Sequence, residues 1–522
     1  MIMKKRFIKT FIAICATTIL MISFSACDTN QVAEVKETIK GVDVEKPVHE
    51  PILDDWREGM ISRGSRPDEA GGPPGEAGGF PGEAGEPPGA AGGEGGFPGG
   101  FGGARATPAV YIDNGKYSTG QSKAGVVTAG KVGDDLASDI KINAKEGDIG
   151  GVYVKGAGSE YTLSNATIDL SGDGSGLGGA GSGASVDDWA TLIIKNSTIT
   201  TSGENRNATS VQNYGTLKVY NSILTAHGVP FEPDITNTDQ KIQLEIDGNS
   251  RTHVSLSSYS YFYYCTVIAE GWAALSTDAG DGFVYLEANN CTVKTLKSGY
   301  GTYANGWCHN YINNCDFDVA SMAAIITGEA DVTFRNTNAK CGTYFALIHN
   351  IGIPAEVSTL NVTGGEMKTK SPVVLAKSAN AEILFDGVKI ATDSGILLKS
   401  VIAVDPQAAK AADTKGQEVY GIHTTFRDMD VAGDIIHTED KENRTMTVYL
   451  ESTRLTGAIK DAYISINPLS KWIATADSNV TIIGNVDFAQ IDAPAGVTIT
   501  AVAGEEGTFT LKSGGTLILK LS

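Results

Sequence analysis

A four-residue phrase recurs between Tyr264 and Lys340 and restricts what the chain can fold into. It reads Tyr264-Cys265-Thr266-Val267, then Asn290-Cys291-Thr292-Val293, Asn314-Cys315-Asp316-Phe317 and Asn336-Thr337-Asn338-Ala339. The three cysteines stand 26 and 24 positions apart. Short β-prone runs fill the intervals, with no amphipathic helix between them. A repeat of this size cannot bury a core alone, so neighbours must stack. The pattern predicts an all-β fold, a parallel β-helix or β-solenoid.

Earlier copies are Ser164-Asn165-Ala166-Thr167-Ile168, Lys195-Asn196-Ser197-Thr198-Ile199 and Tyr220-Asn221-Ser222-Ile223-Leu224. Later ones drift but hold the beat, as in Phe385-Asp386-Gly387-Val388, Phe426-Arg427-Asp428-Met429 and Leu450-Glu451-Ser452-Thr453. The solenoid is expected to run over 107–522, with two or three short parallel strands per coil at about 4.8 Å spacing. Two long intervals, near 227–258 and 401–420, read as loops thrown out of the stack. Because Asn, Ser, Thr and Cys interchange at one place in the phrase, the cysteines read as rungs of a stacking ladder rather than a disulfide framework. High glycine (63) and few aromatic residues (7%) suit tight turns between strands. A net charge of -20 argues against nucleic acid as a partner.

The residues before the solenoid read as export and display sequence. Lys4, Lys5, Arg6 and Lys9 precede the apolar run Phe11 to Phe24, giving a signal peptide over 1–26. Phe24-Ser25-Ala26-Cys27 resembles the bacterial lipobox, which implies lipidation of Cys27 and attachment to a membrane through lipid rather than a span. Residues 27–67 read as a polar tether. The stretch 68–106 is Gly/Pro-rich, but its period is seven: Gly71-Gly72-Pro73-Pro74-Gly75-Glu76-Ala77 is followed by Gly78-Gly79-Phe80-Pro81-Gly82-Glu83-Ala84. Collagen needs glycine at every third place, so this is a low-complexity spacer instead. Its expected use is to carry the folded domain away from the membrane.

The repeat style resembles the right-handed parallel β-helix of the pectin-lyase-like superfamily over roughly four fifths of the chain. The stretch Ser470-Lys471-Trp472-Ile473-Ala474-Thr475-Ala476-Asp477-Ser478-Asn479-Val480-Thr481 is similar to late rungs of autotransporter-type adhesin passengers. No Asn-Thr-Asp, Gly-His-Gly or Arg-Ile-Lys set of the polygalacturonase kind is present, so the resemblance brings no catalytic set with it.

Aligning coils on the small hydrophobic pair before a bend yields a polar column: Lys155, Asp187, Gln212, Thr277, Thr327, His349, Lys377, Lys399, His437 and Lys460, with Asn305 fitting between Thr277 and Thr327. The last five cationic or histidine members, His349 to Lys460, are expected to face solvent as one line of roughly 19 Å. The competing reading is that bends and sheet edges simply favour long polar side chains. Upstream lies an aromatic cluster of Trp272, Tyr300, Tyr303, Trp307 and His309, with Tyr344 and Phe345, near the Tyr-rich run Tyr259 to Tyr264. Sugar rings pack on exposed aromatic faces, so these residues are expected to line a ligand groove, with His437 and Lys460 along the cationic line. The alternative is that the rings pack inside wide coils.

The function these features suggest is a cell-surface, lipid-anchored β-helix that binds extracellular polysaccharide or another cell-surface ligand, as an adhesin does. An alternative is a polysaccharide lyase or glycoside hydrolase acting on an acidic glycan. In a lyase, a lysine would neutralise the uronate and a Tyr, His or Lys act as base, Lys377 or Lys399 with His349 being the candidates; in a hydrolase, Asp278 with Asp281 would supply the carboxylates. A purely structural stalk is a third possibility. No cofactor is called for. Asp169 to Gly176 has calcium-loop character but lacks the distal glutamate, and reads as a turn. Adjacent Cys308 and His309 lack a second ligand pair at zinc spacing.

Overall fold

The phrase works because its first residue turns the chain. Asn165, Asn196, Asn221, Asn290, Asn314 and Asn336 all have φ between 47 and 55°, the left-handed region that asparagine tolerates better than most residues. Tyr264 takes the same place at φ 58°, and glycine replaces them at Gly364 and Gly387. The next residue is buried and forms the ladder. The backbone N–H of Ala166 donates to Ser197 Oγ and that of Ser197 to Ser222 Oγ, each at 3.0 Å. Cys265 N–H donates to Cys291 Sγ at 3.4 Å, and Cys315 N–H to Thr337 Oγ1 at 3.3 Å. The rungs satisfy backbone donors that a sharp bend leaves without a strand partner.

In the computed structural model, three strands and three bends make each coil. The structure describes residues 37–45, 47, 106–174, 179–228, 239, 250–278, 282–350, 355–404, 419–439 and 444–522. One coil consists of Tyr259–Tyr263, Thr266–Ala269 and Ala273–Asp278; the next of Val284–Asn289, Thr292–Thr295 and Tyr300–Asn305. Each strand pairs in parallel with its counterpart one coil on, so the first, second and third strands build three sheets, here sheets I, II and III. The registers Val267↔Val293 and Val293↔Phe317 carry one interior column through sheet II. This is the parallel β-helix expected from the repeat, and the described residues of Thr38–Ser522 form a single compact unit.

Side chains alternate between the interior and the outer face, as the two-residue period of a strand requires. Leu286, Ile312, Val332 and Leu360 fill the interior of sheet I, while their neighbours point out. Inner rings stack between coils: Phe385 lies on Phe426 with centroids 5.5 Å apart and planes at 14°. Both open ends of the stack are blunted by antiparallel pairing. Val127–Val132 folds back on Leu136–Ala144, and Gly507–Thr510 on Thr516–Leu521. Such ends keep a solenoid from growing by addition of another chain.

Three expectations need adjustment. Within the stretch read as a polar tether, Thr38–Lys40 is a strand paired antiparallel with Asn485–Asp487. The first long loop is shorter than 227–258, because His253–Leu256 is already a strand of sheet III. The second, 401–420, begins as the continuation of Ile396–Val401, and residues 405–418 lie outside those described. The signal peptide, Cys27, nearly all of the Gly/Pro-rich spacer and Gly176 of the calcium-style loop also lie outside them.

Candidate ligand face

On the outward side of sheet I, successive coils place rings and carboxylates side by side, with Tyr285, His309, Thr359 and His423 covered and their neighbours partly exposed. Tyr259, Tyr285, His309, Asp331, Thr359, Glu382 and His423 occupy one column. A second column, two residues along, holds Tyr261, Glu287, Tyr311 and Thr333. The sequence puts them there because each strand's interior positions take aliphatic residues, so the residues between must face out. The rings touch from coil to coil: Tyr261 to Tyr285 is 5.5 Å between centroids, and Tyr285 to Tyr311 is 5.6 Å. Glu287 holds the Tyr285 hydroxyl at 2.8 Å and the Asn289 amide at 2.7 Å, fixing the middle of the strip.

The bend from sheet III into sheet I adds to this strip. Phe283 packs edge-on to Trp307 at 5.2 Å and lies 5.0 Å from the His309 ring. Trp307 is 39% exposed, so one side of this aromatic step meets solvent. Beside it sit three carboxylates. His309 Nε2 is 3.3 Å from Asp331 Oδ2. Burial, reinforced by the charge of Glu329, pushes Asp331 up to about 6 despite a hydrogen bond from Thr359. The same two causes push Glu356 up to about 7. Gly328, with φ 72°, brings the bend under Glu356: a β-carbon there would lie 3.5 Å from Glu356 Oε2 and 3.1 Å from the Gly306 α-carbon. Further along, Tyr420 donates to Glu382 at 2.8 Å and packs edge-on to His423 at 4.7 Å.

This arrangement can offer flat apolar rings with polar groups fixed between them, and two carboxyl groups that exchange protons near neutrality. Sequence reasoning reached Trp307, His309 and the Tyr-rich run, but missed Tyr285, Asp331 and Glu356. The acidic bend Gly328-Glu329-Ala330-Asp331 was a visible signal.

The expected cationic line is broken. Asn305, Thr327, His349 and Lys377 do share one column of sheet III, which Asp278 rather than Thr277 precedes. Lys377, however, pairs with Val401, and Lys399 pairs with Leu375 in the adjacent outward column. That two-residue offset preserves the inside–outside alternation, so periodicity could not reveal it. His437 pairs with Ser400 and points inward, where its imidazole contacts Ser400 Oγ and the Arg444 carbonyl. Lys460 lies beside Ile436 and is exposed. His349 and His437 are buried and Lys377 is 0% exposed, so they form no solvent-facing row.

The expected aromatic cluster is divided in two. Trp272, Tyr300, Tyr303 and Tyr344 are buried on the outward side of sheet III with Met322, Ile325, Leu347 and Leu375, a second apolar cluster beside the main core. Arg251 lies 3.7 Å over the Trp272 ring and is ion-paired to Asp278, whose other oxygen takes the Asn305 amide at 3.1 Å. Asp278 is therefore committed to an internal pair, and Asp281 lies outside the described residues. From the loop, Asp239 accepts both the Tyr344 hydroxyl and the Lys399 ammonium. Trp307 and His309 belong instead to the strip on sheet I. Among the described residues, no group of three or more His, Cys, Asp or Glu is placed to hold a metal.

No protein-family model matches the chain, and no curated protein matches it.

Proposed function

We propose that this protein binds an extracellular glycan along the outer face of sheet I and its bend, displayed at a bacterial cell surface by a lipid on Cys27. The observation that carries the reading is the set of outward, partly exposed rings Tyr261 and Tyr311 with the exposed Trp307 at the adjoining bend, each packed on a buried ring beneath, Tyr285 or Phe283. Sugar C–H faces pack on such rings, and their hydroxyls find acceptors in Glu287, Glu382 and Asp331. Carboxylates beside the rings favour a neutral or amino-sugar glycan over a uronate one. The lipobox-like Cys27 and the pectin-lyase-like repeat style support display and glycan handling. Affinity electrophoresis in gels containing single polysaccharides tests this. Retardation by a neutral or amino-sugar polymer, weakened by Trp307→Ala with Tyr311→Ala, is expected. Unaltered mobility across a broad panel would remove the proposal.

A second reading has one observation in its favour, the carboxyls Asp331 and Glu356 near the Gly306-Trp307 bend, both pushed up by burial and by the charge of Glu329. In it, protonated Glu356 gives its proton to the glycosidic oxygen as the C–O bond breaks, and Asp331 takes a proton from the water that attacks the anomeric carbon. Release of reducing ends by the parent protein and its loss in Glu356→Gln would establish hydrolysis.

A further inference from the structure

Residues 38–42 are built into the far end of the solenoid, although they precede its first coil by more than sixty residues of sequence. Thr38–Lys40 pairs with Asn485–Asp487, and Ile39 is fully buried in the main core. Gly41 N–H donates to the Gly484 carbonyl at 2.9 Å, and Val42 N–H to that of Ile482 at 2.8 Å. Gly504 N–H returns to the Lys40 carbonyl at 2.8 Å, and Glu505 accepts Lys40 N–H at 2.6 Å. The close approach demands glycine: a β-carbon on Gly41 would fall 2.0 Å from the Gly484 oxygen.

The clasp sits far along the stack from the first coil. The first coil opens with Thr107–Asp113, whereas the clasp sits on coils near Ile482. At about 4.8 Å per coil these are roughly 60 Å apart along the stack. Residues 48–105 connect the two, and at about 3.1 Å per residue they can reach roughly 180 Å, ample for the return. Meanwhile only the short run from Cys27 to Thr38 separates the lipid-bearing residue from the clasp, at most about 40 Å at full extension.

We infer that the clasp presents the solenoid to a lipid surface with its C-terminal coils nearest the membrane and its first coils outermost. The orientation rests on the lipid-anchor reading above; the clasp does not. It also places the anchoring force on a closed, hydrogen-bonded edge instead of on a Gly/Pro-rich segment.

The test uses the full lipidated chain on phosphatidylcholine vesicles carrying a headgroup acceptor dye, with a donor on Glu506→Cys or on Gln121→Cys. The five described cysteines are buried, so the introduced thiol is the one labelled. Energy transfer from position 506 should exceed that from position 121 several-fold, and Gly41→Val or Ile39→Asp should abolish the difference. Equal transfer from both sites, or a difference that survives both variants, would overturn the orientation. A Cys27→Ala protein should stay off the vesicles; if it binds as well as the parent, the anchor reading fails. The clasp is then judged on soluble protein with Lys40→Cys and Asn485→Cys, which should oxidise to near-complete disulfide. Trace disulfide would overturn it.

Discussion

The backbone N–H of Cys291 donates to the Sγ of Cys315 on the next coil at 3.3 Å, while the Cys291 thiol donates to the Asn289 carbonyl at 3.3 Å. Each such residue is both acceptor for one coil and donor within its own, so the ladder needs a small side chain with one lone pair and one hydrogen. Cysteine, serine and threonine all qualify. Cys291→Ser should therefore change stability by less than about 1 kcal/mol, whereas Cys291→Ala, which leaves the buried Cys265 N–H without its acceptor, should cost about 1–3 kcal/mol. Urea unfolding of the two variants separates them.

Cys341, in the core of sheet II, should be chemically quiet. Burial pushes the Cys341 thiol up to about 12, far from the thiolate that alkylating reagents attack. Native protein incubated with iodoacetamide at pH 8 should keep Cys341 unmodified, and the same residue should react fully in urea. Mass mapping of the alkylated peptides reads both outcomes.

Raised carboxyl pKa values give stability an unusual pH slope. Glu356, held at about 7, and Asp331, at about 6, bind protons in the folded protein that the unfolded chain has already released. Stability from these sites is fully present below the unfolded carboxyl range, near pH 4, and is lost as pH rises through 6 to 7. Glu439, pushed up to about 7 by burial and only partly countered by Arg444, adds in the same direction. Glu356→Gln should raise the thermal midpoint at pH 8 and leave it nearly unchanged at pH 5. Equal effects at both pH values would contradict the assignment.

Lys377 is a structural residue in this fold. Removing a fully buried cation strands whatever faces it, so Lys377→Ala should lower stability by about 3 kcal/mol. Lys460→Ala, on an exposed bend, should stay within about 0.5 kcal/mol. Chemical denaturation compares the pair.

The difference between these two lysines shows where sequence was informative. The turn-and-rung phrase is local, repeated and tied to the left-handed backbone at Asn290 and Asn314, so the solenoid and its register could be read directly. That register carried correctly from Asn305 to Lys377. It failed at Lys399 by two residues and at His437 by one, because hydrophobic pairs such as Leu397-Leu398 and Ile435-Ile436 offer two equally plausible alignments. Burial was not legible: Trp272 and Lys377 occupy outward positions of their sheet and yet are covered. Glu356 was missed because the sequence between His349 and Val357 is longer than that between Thr327 and Asp331 one coil before. The clasp was missed because three residues are too few to show a period.

The strip on sheet I is proposed to hold a glycan. Isothermal titration with a length series of neutral and amino-sugar oligosaccharides addresses that directly, because a strip spanning several coils gains contacts as the chain lengthens. Affinity should rise with length and then level off, and Tyr311→Ala should lower both the slope and the plateau. Affinity that does not depend on length, or an unaltered series in Tyr311→Ala and Trp307→Ala, would contradict it.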